Sequence, residues 1–195
     1  MKRILLTLSV VTVFSYSFGQ NGRPKTLIGN DPEEISGFGS VLFSFTSIDG
    51  DLSTLTGGGG AVLFDNSFFI GGYGLSLTGN RDTQIAGDNF SSSYGHGGFW
   101  LGYNIRPENL VHFGVDAKLG WGEITTKSTA LSNSDEDGVF VFSPQAFVEA
   151  NISYWFKVNA GAGFQKTIGV DNDYFQPSDF DGPTFSISLL FGWFN

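Results

Sequence analysis

Hydrophobic and polar positions alternate along most of the chain, and beyond the N-terminus there is no 3.6-residue helical repeat. From Phe68 onward one parity reads Phe69, Gly71, Tyr73, Leu75, Leu77, then Phe99, Leu101, Tyr103, Ile105, then Val111, Phe113, Val115, Ala117, Leu119, Trp121. It continues from Phe140 to Ile152, Val158 to Phe164 and Phe185 to Trp193, and no charged residue, Ser, Thr, Asn or Gln falls on it. The opposite parity carries Gly and polar groups, including His96, His112, Asp116, Lys118, Glu149 and Lys157, with Tyr94, Trp100 and Phe147 among them. Six strands follow from this pattern. Two earlier stretches, 37–47 and 57–65, alternate less cleanly but have strand composition, which brings the expected number to eight.

The connections between these strands alternate in length. Asp65-Asn66-Ser67, Arg106 to Asn109 and Ser153-Tyr154-Trp155 are short, whereas those near 47–57, 79–92, 124–138 and 168–183 are long. Short turns at one end and long loops at the other are how outer-membrane barrels are built. A strand of about ten residues tilted near 45° crosses the hydrocarbon. The pattern therefore predicts an all-β fold, an eight-stranded antiparallel up-and-down transmembrane β-barrel over 36–195. Both termini fall on the short-turn, periplasmic side. Pro144 interrupts an outward run and predicts a bulge or strand end there.

Composition decides which face meets which medium. The 195 residues include 28 Gly and 21 Phe, no Cys, and only 15% charged residues, against about 25% in an ordinary soluble domain. A disulfide framework is excluded, and a net charge of -9 argues against nucleic-acid partners. The wet face of a soluble sandwich would be dense in Lys, Glu and Thr; here it is rich in Gly, which weakens strands. Inside a narrow eight-stranded barrel the same Gly residues relieve crowding among lumen side chains. The uncharged parity is thus assigned to lipid and the Gly-rich polar parity to the lumen. Aromatic girdles are then expected from Trp121, Phe140, Phe164 and Phe185 at the long-loop rim and from Phe69, Tyr103 and Trp193 at the short-turn rim.

Residues 1–19 read as a cleaved signal peptide. Lys2 and Arg3 precede an apolar run from Ile4 to Phe14, and Ser17 and Gly19 are small residues before Gln20. Removing Lys2 and Arg3 takes the formal charge from -9 to -11. Residues 20–35 are expected to form a periplasmic N-terminal segment. No later stretch is apolar for long enough to make a transmembrane helix.

This architecture, ending in the aromatic strand PTFSISLLFGWFN, resembles the small eight-stranded outer-membrane barrels typified by the OmpA membrane domain and OmpX. The resemblance implies a monomer in the outer membrane of a diderm bacterium, in contact with outer-membrane lipid. It also implies recognition of the C-terminal strand by the barrel-assembly machinery, although Phe194 is penultimate and Asn195 follows it. No peptidoglycan-binding domain follows the barrel, so a tethering role is not expected.

The candidate chemistry is in the lumen and the loops. His96, His112, Asp116, Lys118, Glu149 and Lys157 are expected to form a polar network, because charges in a narrow interior must be paired or wetted. Pairing across the 106–109 turn places His96 level with Lys118, with Asp116 one lumen position away. The alternative for this group is a gated ion or water path. Lipid A-modifying barrels suggest a catalytic alternative in which Ser186 or Ser143 approaches a His, but no nucleophile–base–orienter spacing specifies it. No catalytic, cofactor-binding or metal residue is therefore assigned. The long loops hold most of the acidic residues, and Asp135–Asp137 and Asp171–Asp173 lack the spacing of a calcium loop. The expected function is non-enzymatic, either structural or a surface interaction through acidic extracellular loops. A lipid-modifying barrel enzyme and a soluble exported ligand-binding β-barrel are the alternatives.

Overall fold

The computed structural model describes residues 34–48, 50–79, 81–85, 88–128, 134–170 and 177–194. The expected signal peptide over 1–19, residues 20–33 and the 171–173 acidic run lie outside them. Nine strands are present: β1 (Ile35–Ile48), β2 (Asp51–Phe64), β3 (Phe68–Leu77), β4 (Arg81–Ile85), β5 (Asp88–Ile105), β6 (Val111–Ser128), β7 (Ser134–Ser153), β8 (Phe156–Ile168) and β9 (Gly182–Trp193). A 3-10 turn, Pro177–Phe180, precedes β9. Neighbours in the sheet pair antiparallel; β3 and β4 both pair with β5, forming one interrupted stave, and β9 pairs with β1. The result is a closed eight-stave barrel, so no strand within the ring has a free edge.

The register fixes the dimensions of the barrel. From Ile35 the pairs run Phe64, Phe68, Tyr103, Val115, Ala146, Ala162 and Phe185, and return to β1 at Phe45. One circuit therefore climbs ten residues, from Ile35 to Phe45. With about 3.3 Å per residue and about 4.8 Å between strands, a climb of that size over eight staves gives a tilt of about 40°. The backbone then lies about 8 Å from the axis, a radius that side chains can fill.

Parity sorts the side chains as expected on β5 to β9, with Tyr94, Trp100 and Phe147 inside and Phe99, Tyr103, Phe113, Val115 and Phe185 outside. On β3 it is inverted. Phe69, expected in a girdle, is 3% exposed and faces the lumen with Tyr73 and Leu75, while Phe68 and Ile70 face out. Both parities of β3 carry apolar residues, and the lumen beside it is filled by rings: Phe38, Phe69 and Trp100 meet edge to face with centroids 5.3–5.6 Å apart. The outward positions of β2, β3 and β5 include a cross-strand row of glycines, Gly58 opposite Gly74 and Gly74 opposite Gly97.

Three expected connections change. The segment near 47–57 is no long loop: β1 and β2 meet at a tight turn, with Ile48 paired to Asp51 and Gly50 at φ 80°. Much of 79–92 and 124–138 is strand, because β4, β5, β6 and β7 continue as ladders to Ile85–Asp88 and Lys127–Ser134. Pro144 produces neither bulge nor strand end. The β7–β8 ladder passes from Phe142 to Gln145 without a register change, and the irregularity lies at Asn151–Ser153.

Lumen glycines set how closely the strands approach. A Cβ on Gly122 would overlap the Gly95 carbonyl oxygen, whereas one on Gly74 meets nothing within 4 Å. Gly122→Ala should cost at least about 2 kcal/mol of unfolding free energy through overpacking. Gly74→Ala should stay within about 0.5 kcal/mol, as an uncrowded surface change does. Urea unfolding of both variants in lipid vesicles checks the contrast.

Candidate functional site

The lumen is filled in layers, and each layer takes its side chains from several strands. At the end where the short turns lie, β6, β7 and β8 bring His112, Glu149 and Lys157 together. His112 Nε2 lies 3.1 Å from Glu149 Oε1, and Lys157 Nζ lies 3.2 Å from the same oxygen. His112 Nδ1 faces the Asn109 carbonyl oxygen at 3.2 Å. Both ring nitrogens thus face acceptors. All three side chains are buried, so one carboxylate oxygen serves both His112 and the Lys157 ammonium in a site where an unpaired charge is costly.

The next layers are an aromatic block and a second ion pair. Lys118 Nζ stands 5.1 Å from the Trp100 ring centroid and donates to Asp116 Oδ1 at 3.4 Å. Gln145 Nε2 donates to Asp116 Oδ2 at 2.7 Å, and Ser186 Oγ donates to Gln145 Oε1 at 2.9 Å. Beyond this layer Tyr73 Oη and His96 Nδ1 are 2.9 Å apart. Tyr94 then packs on Phe180 with centroids 5.2 Å apart. Phe180 sits in the mouth with its carbonyl accepting from Gln165 Nε2 and Thr167 Oγ1. Asp181 holds this turn in place by accepting from Thr167 N at 2.7 Å and pairing with Lys166.

All six lumen candidates are buried, but they form three groups rather than one network: His112–Glu149–Lys157, Asp116–Lys118, and His96 with Tyr73. His96 is not level with Lys118; it lies opposite Gly122, and Lys118 lies opposite Trp100. The reason is the register: the ladder ends at Ile105–Phe113, which centres the hairpin on Asn109 rather than between Pro107 and Glu108. Gln145, Asn104, Asn159 and Gln165 share the lumen parity and could have been nominated from the sequence. Tyr73 was hidden by the ambiguous parity of β3. Ser186, the nearest thing to a nucleophile in the sequence, is committed to Gln145, and both His residues have other partners.

The expected girdle residues Tyr103, Trp121, Phe164, Phe185 and Trp193 are outward and exposed, and Phe140 is half-buried. Trp121 pairs directly with Phe140, centroids 5.5 Å apart. At the short-turn rim a stack of Trp155, Phe156 and Phe191 joins them, with Phe156 and Phe191 5.1 Å apart. Trp155 lies in a turn and Phe156 at the first residue of its strand, where alternation carries no signal.

A cavity of about 470 Å³ opens at the short-turn end, bordered by Asp65, Asn66, Glu108, Asn151, Tyr154, Lys157 and Phe194. Phe194 forms part of its floor, its backbone N donating to the Tyr154 carbonyl at 3.1 Å and its ring 6.2 Å from Phe38. Among the described residues no group of three or more His, Asp or Glu side chains is arranged to hold a metal.

No protein-family profile and no curated protein sequence matches the chain. Solved structures do. Ail, the attachment invasion locus protein of Yersinia pestis, matches in complex with sucrose octasulfate at TM-score 0.50 and 14% identity, covering 82% of this chain and 97% of that one. Ail alone matches at TM-score 0.49 and 16% identity, over 83% of this chain and 98% of that one. Neisserial surface protein A matches at TM-score 0.47 and 10% identity, over 81% and 94%. The fold is that of the small eight-stranded outer-membrane β-barrels.

The shared carboxylate makes a specific prediction. Glu149→Gln leaves the Lys157 ammonium buried without its counter-ion and should cost about 3–5 kcal/mol, as breaking a buried pair does. Adding Lys157→Met should recover at least half of that loss. Urea titration of the single and double variants reads both quantities.

Proposed function

We propose that the protein is an integral outer-membrane β-barrel whose long-loop end serves a non-enzymatic surface interaction. The observation that carries the reading is the outer wall. Val111, Phe113, Val115, Phe99, Trp121, Phe185, Ile187 and Phe191 are all exposed on it, while Asp116 and Lys118, between Val115 and Leu119 on the same strand, are buried inside. An apolar surface of that extent is not kept by soluble monomers, and hydrocarbon is the medium that covers it. This favours the membrane reading over a soluble exported barrel. The partners this implies are outer-membrane lipid around a monomer and, during insertion, the assembly machinery reading β9.

The geometry of the loop end refines the surface role. β4, β5, β6 and β7 continue as a four-stranded sheet past the point where β7 leaves β8, at Phe140–Ile168. Among the described residues, Arg81–Ile85 on one side and Ser134–Val139 on the other have no further strand paired to them. Such edges accept an extended strand from another protein. Asp51, Asp137, Asp179 and Asp181 at this end add negative charge, which favours a partner with a basic surface. The lipid-modifying alternative receives no support from Ser186, whose hydroxyl is bound to an amide.

The chain has no Cys, so topology is directly testable. Asp137→Cys should react with a membrane-impermeant maleimide on intact cells, and Asn109→Cys only after the outer membrane is permeabilised. Labelling in the reverse order, or recovery of the protein in the aqueous periplasmic fraction, would overturn the reading. Val115→Arg should reduce the free energy of folding into vesicles by about 2–4 kcal/mol if its position lies near mid-membrane. Measurement in lipid and in short-chain detergent separates that penalty from a packing defect.

A further inference from the structure

Between the aromatic block and the His112–Glu149–Lys157 layer lies a small chamber with Phe38, Leu63, Phe69 and Leu190 on its apolar side. Trp100, Asn104, Glu149, Lys157, Asn159 and Phe194 border it. Three polar atoms of these side chains have no hydrogen-bond partner in the protein: Trp100 Nε1, Asn104 Oδ1 and Asn159 Oδ1. Their residues are 1%, 4% and 3% exposed, so bulk solvent does not satisfy them. Leaving three such groups bare in an interior would be expensive, and buried polar atoms in proteins are almost always paired. The chamber offers about 10 Å³ to the centre of a water-sized molecule, which is room for one.

The mixture of groups identifies the occupant. A metal cation would suit the two amide oxygens but would face an indole N–H and the Lys157 ammonium. A halide would suit the indole but would face two carbonyl oxygens. Asn104 cannot turn its amide to help, because its Nδ2 donates to the Asn66 carbonyl at 3.1 Å. Water alone accepts from the indole and donates to both oxygens.

We propose that this chamber is a specific single-water site, and that Lys157 and Phe194 are the door through which its water exchanges with the 470 Å³ cavity outside. These two residues are the ones that border both spaces. The Lys157 Nζ stands 4.3 Å from the Phe194 ring centroid and 3.2 Å from Glu149 Oε1, so a cation–π contact and an ion pair hold the door closed. Glu149 keeps His112 at 3.1 Å when Lys157 swings outward on its flexible stem, so opening does not strand the carboxylate. The Asp116–Lys118 pair stands in the layer beyond Trp100 and is not disturbed by this movement.

Trp100 is a natural reporter. The other three indoles, of Trp121, Trp155 and Trp193, are outward and about half or more exposed, whereas Trp100 is interior. In the full mature chain, 15N-labelled and folded in detergent micelles, Trp100→Phe assigns the indole signal by deleting it. The Trp100 Hε1 should show a direct dipolar cross-peak to water together with slow hydrogen exchange. Asn159→Leu, which fills the chamber, should remove the cross-peak. Phe194→Ala should keep the cross-peak and raise the exchange rate at least tenfold. Absence of the cross-peak in the wild-type protein overturns the site without need of any variant. If Asn159→Leu does not fold, Asn104→Leu serves the same purpose, and a cross-peak that persists in the filled variant overturns the site. Unchanged exchange in Phe194→Ala, or the same acceleration in the distant Phe185→Ala, overturns the door.

Discussion

Closure is the constraint on which the rest of this structure depends. Once β9 pairs with β1, every strand of the ring is paired with a neighbour on both sides, which is what permits sheet structure in a medium without water. The ten-residue climb from Ile35 to Phe45 then leaves a fixed cylinder with a backbone radius of about 8 Å. That volume is too narrow to remain an open aqueous bore and too wide to be left empty. The composition of the inward face answers it with large rings, amides and paired charges, and Gly102, Gly114 and Gly120 sit where Phe69, Phe147 and Tyr73 need room.

Filling a cylinder with polar groups carries an electrostatic condition. Glu149 serves both Lys157 and His112 through a single oxygen, and Asp116 is divided between Lys118 and Gln145. The charged layers are separated by the Phe38–Phe69–Trp100 block, so each has to balance locally rather than along a chain. Aromatic side chains also stand toward the two ends of the lumen, Phe180 against Tyr94 at one and Phe194 beside Phe38 at the other.

Much of this was legible in the alternation. The stretches 99–105, 111–121, 140–152, 158–164 and 185–193 carry an outward parity free of polar side chains, and there the inside and outside faces follow directly, as they do for all six titratable lumen residues. Legibility failed where both parities are apolar or small. Phe68 and Phe69 are adjacent and chemically identical, and only the rings of Phe38 and Trp100, distant in sequence, decide which of them turns inward. The partnering of lumen charges was also illegible, because it depends on hairpin register. Centring the β5–β6 hairpin on Asn109, with Ile105 paired to Phe113, moves His96 four residues along β6, from Lys118 to Gly122. Acidic, Asn- and Ser-rich stretches were read as loops, yet β4 and the outer parts of β5, β6 and β7 form ladders there. Pairing with a neighbouring strand overrides weak intrinsic preference.

The outward glycine row gives the wall two different heights. On β6 the apolar outer positions run unbroken from Val111 to Trp121, about 25 Å along the axis at the barrel's tilt. On β2 and β3 the continuous run of large apolar side chains covers Val62, Phe64, Phe68 and Ile70; Gly58 and Gly74 follow, then Thr54, Thr56 and Ser76, with Leu52 standing alone beyond them. The fully hydrophobic stretch is shorter on that flank by roughly one third to one half, on the same geometry. A bilayer surrounding the barrel is therefore mismatched on one side only. It can respond by thinning beside the glycines or by leaning the cylinder toward them, at a modest cost per ångström. Either response gives an otherwise near-cylindrical protein a preferred heading in the membrane plane, set by side chains that are not there.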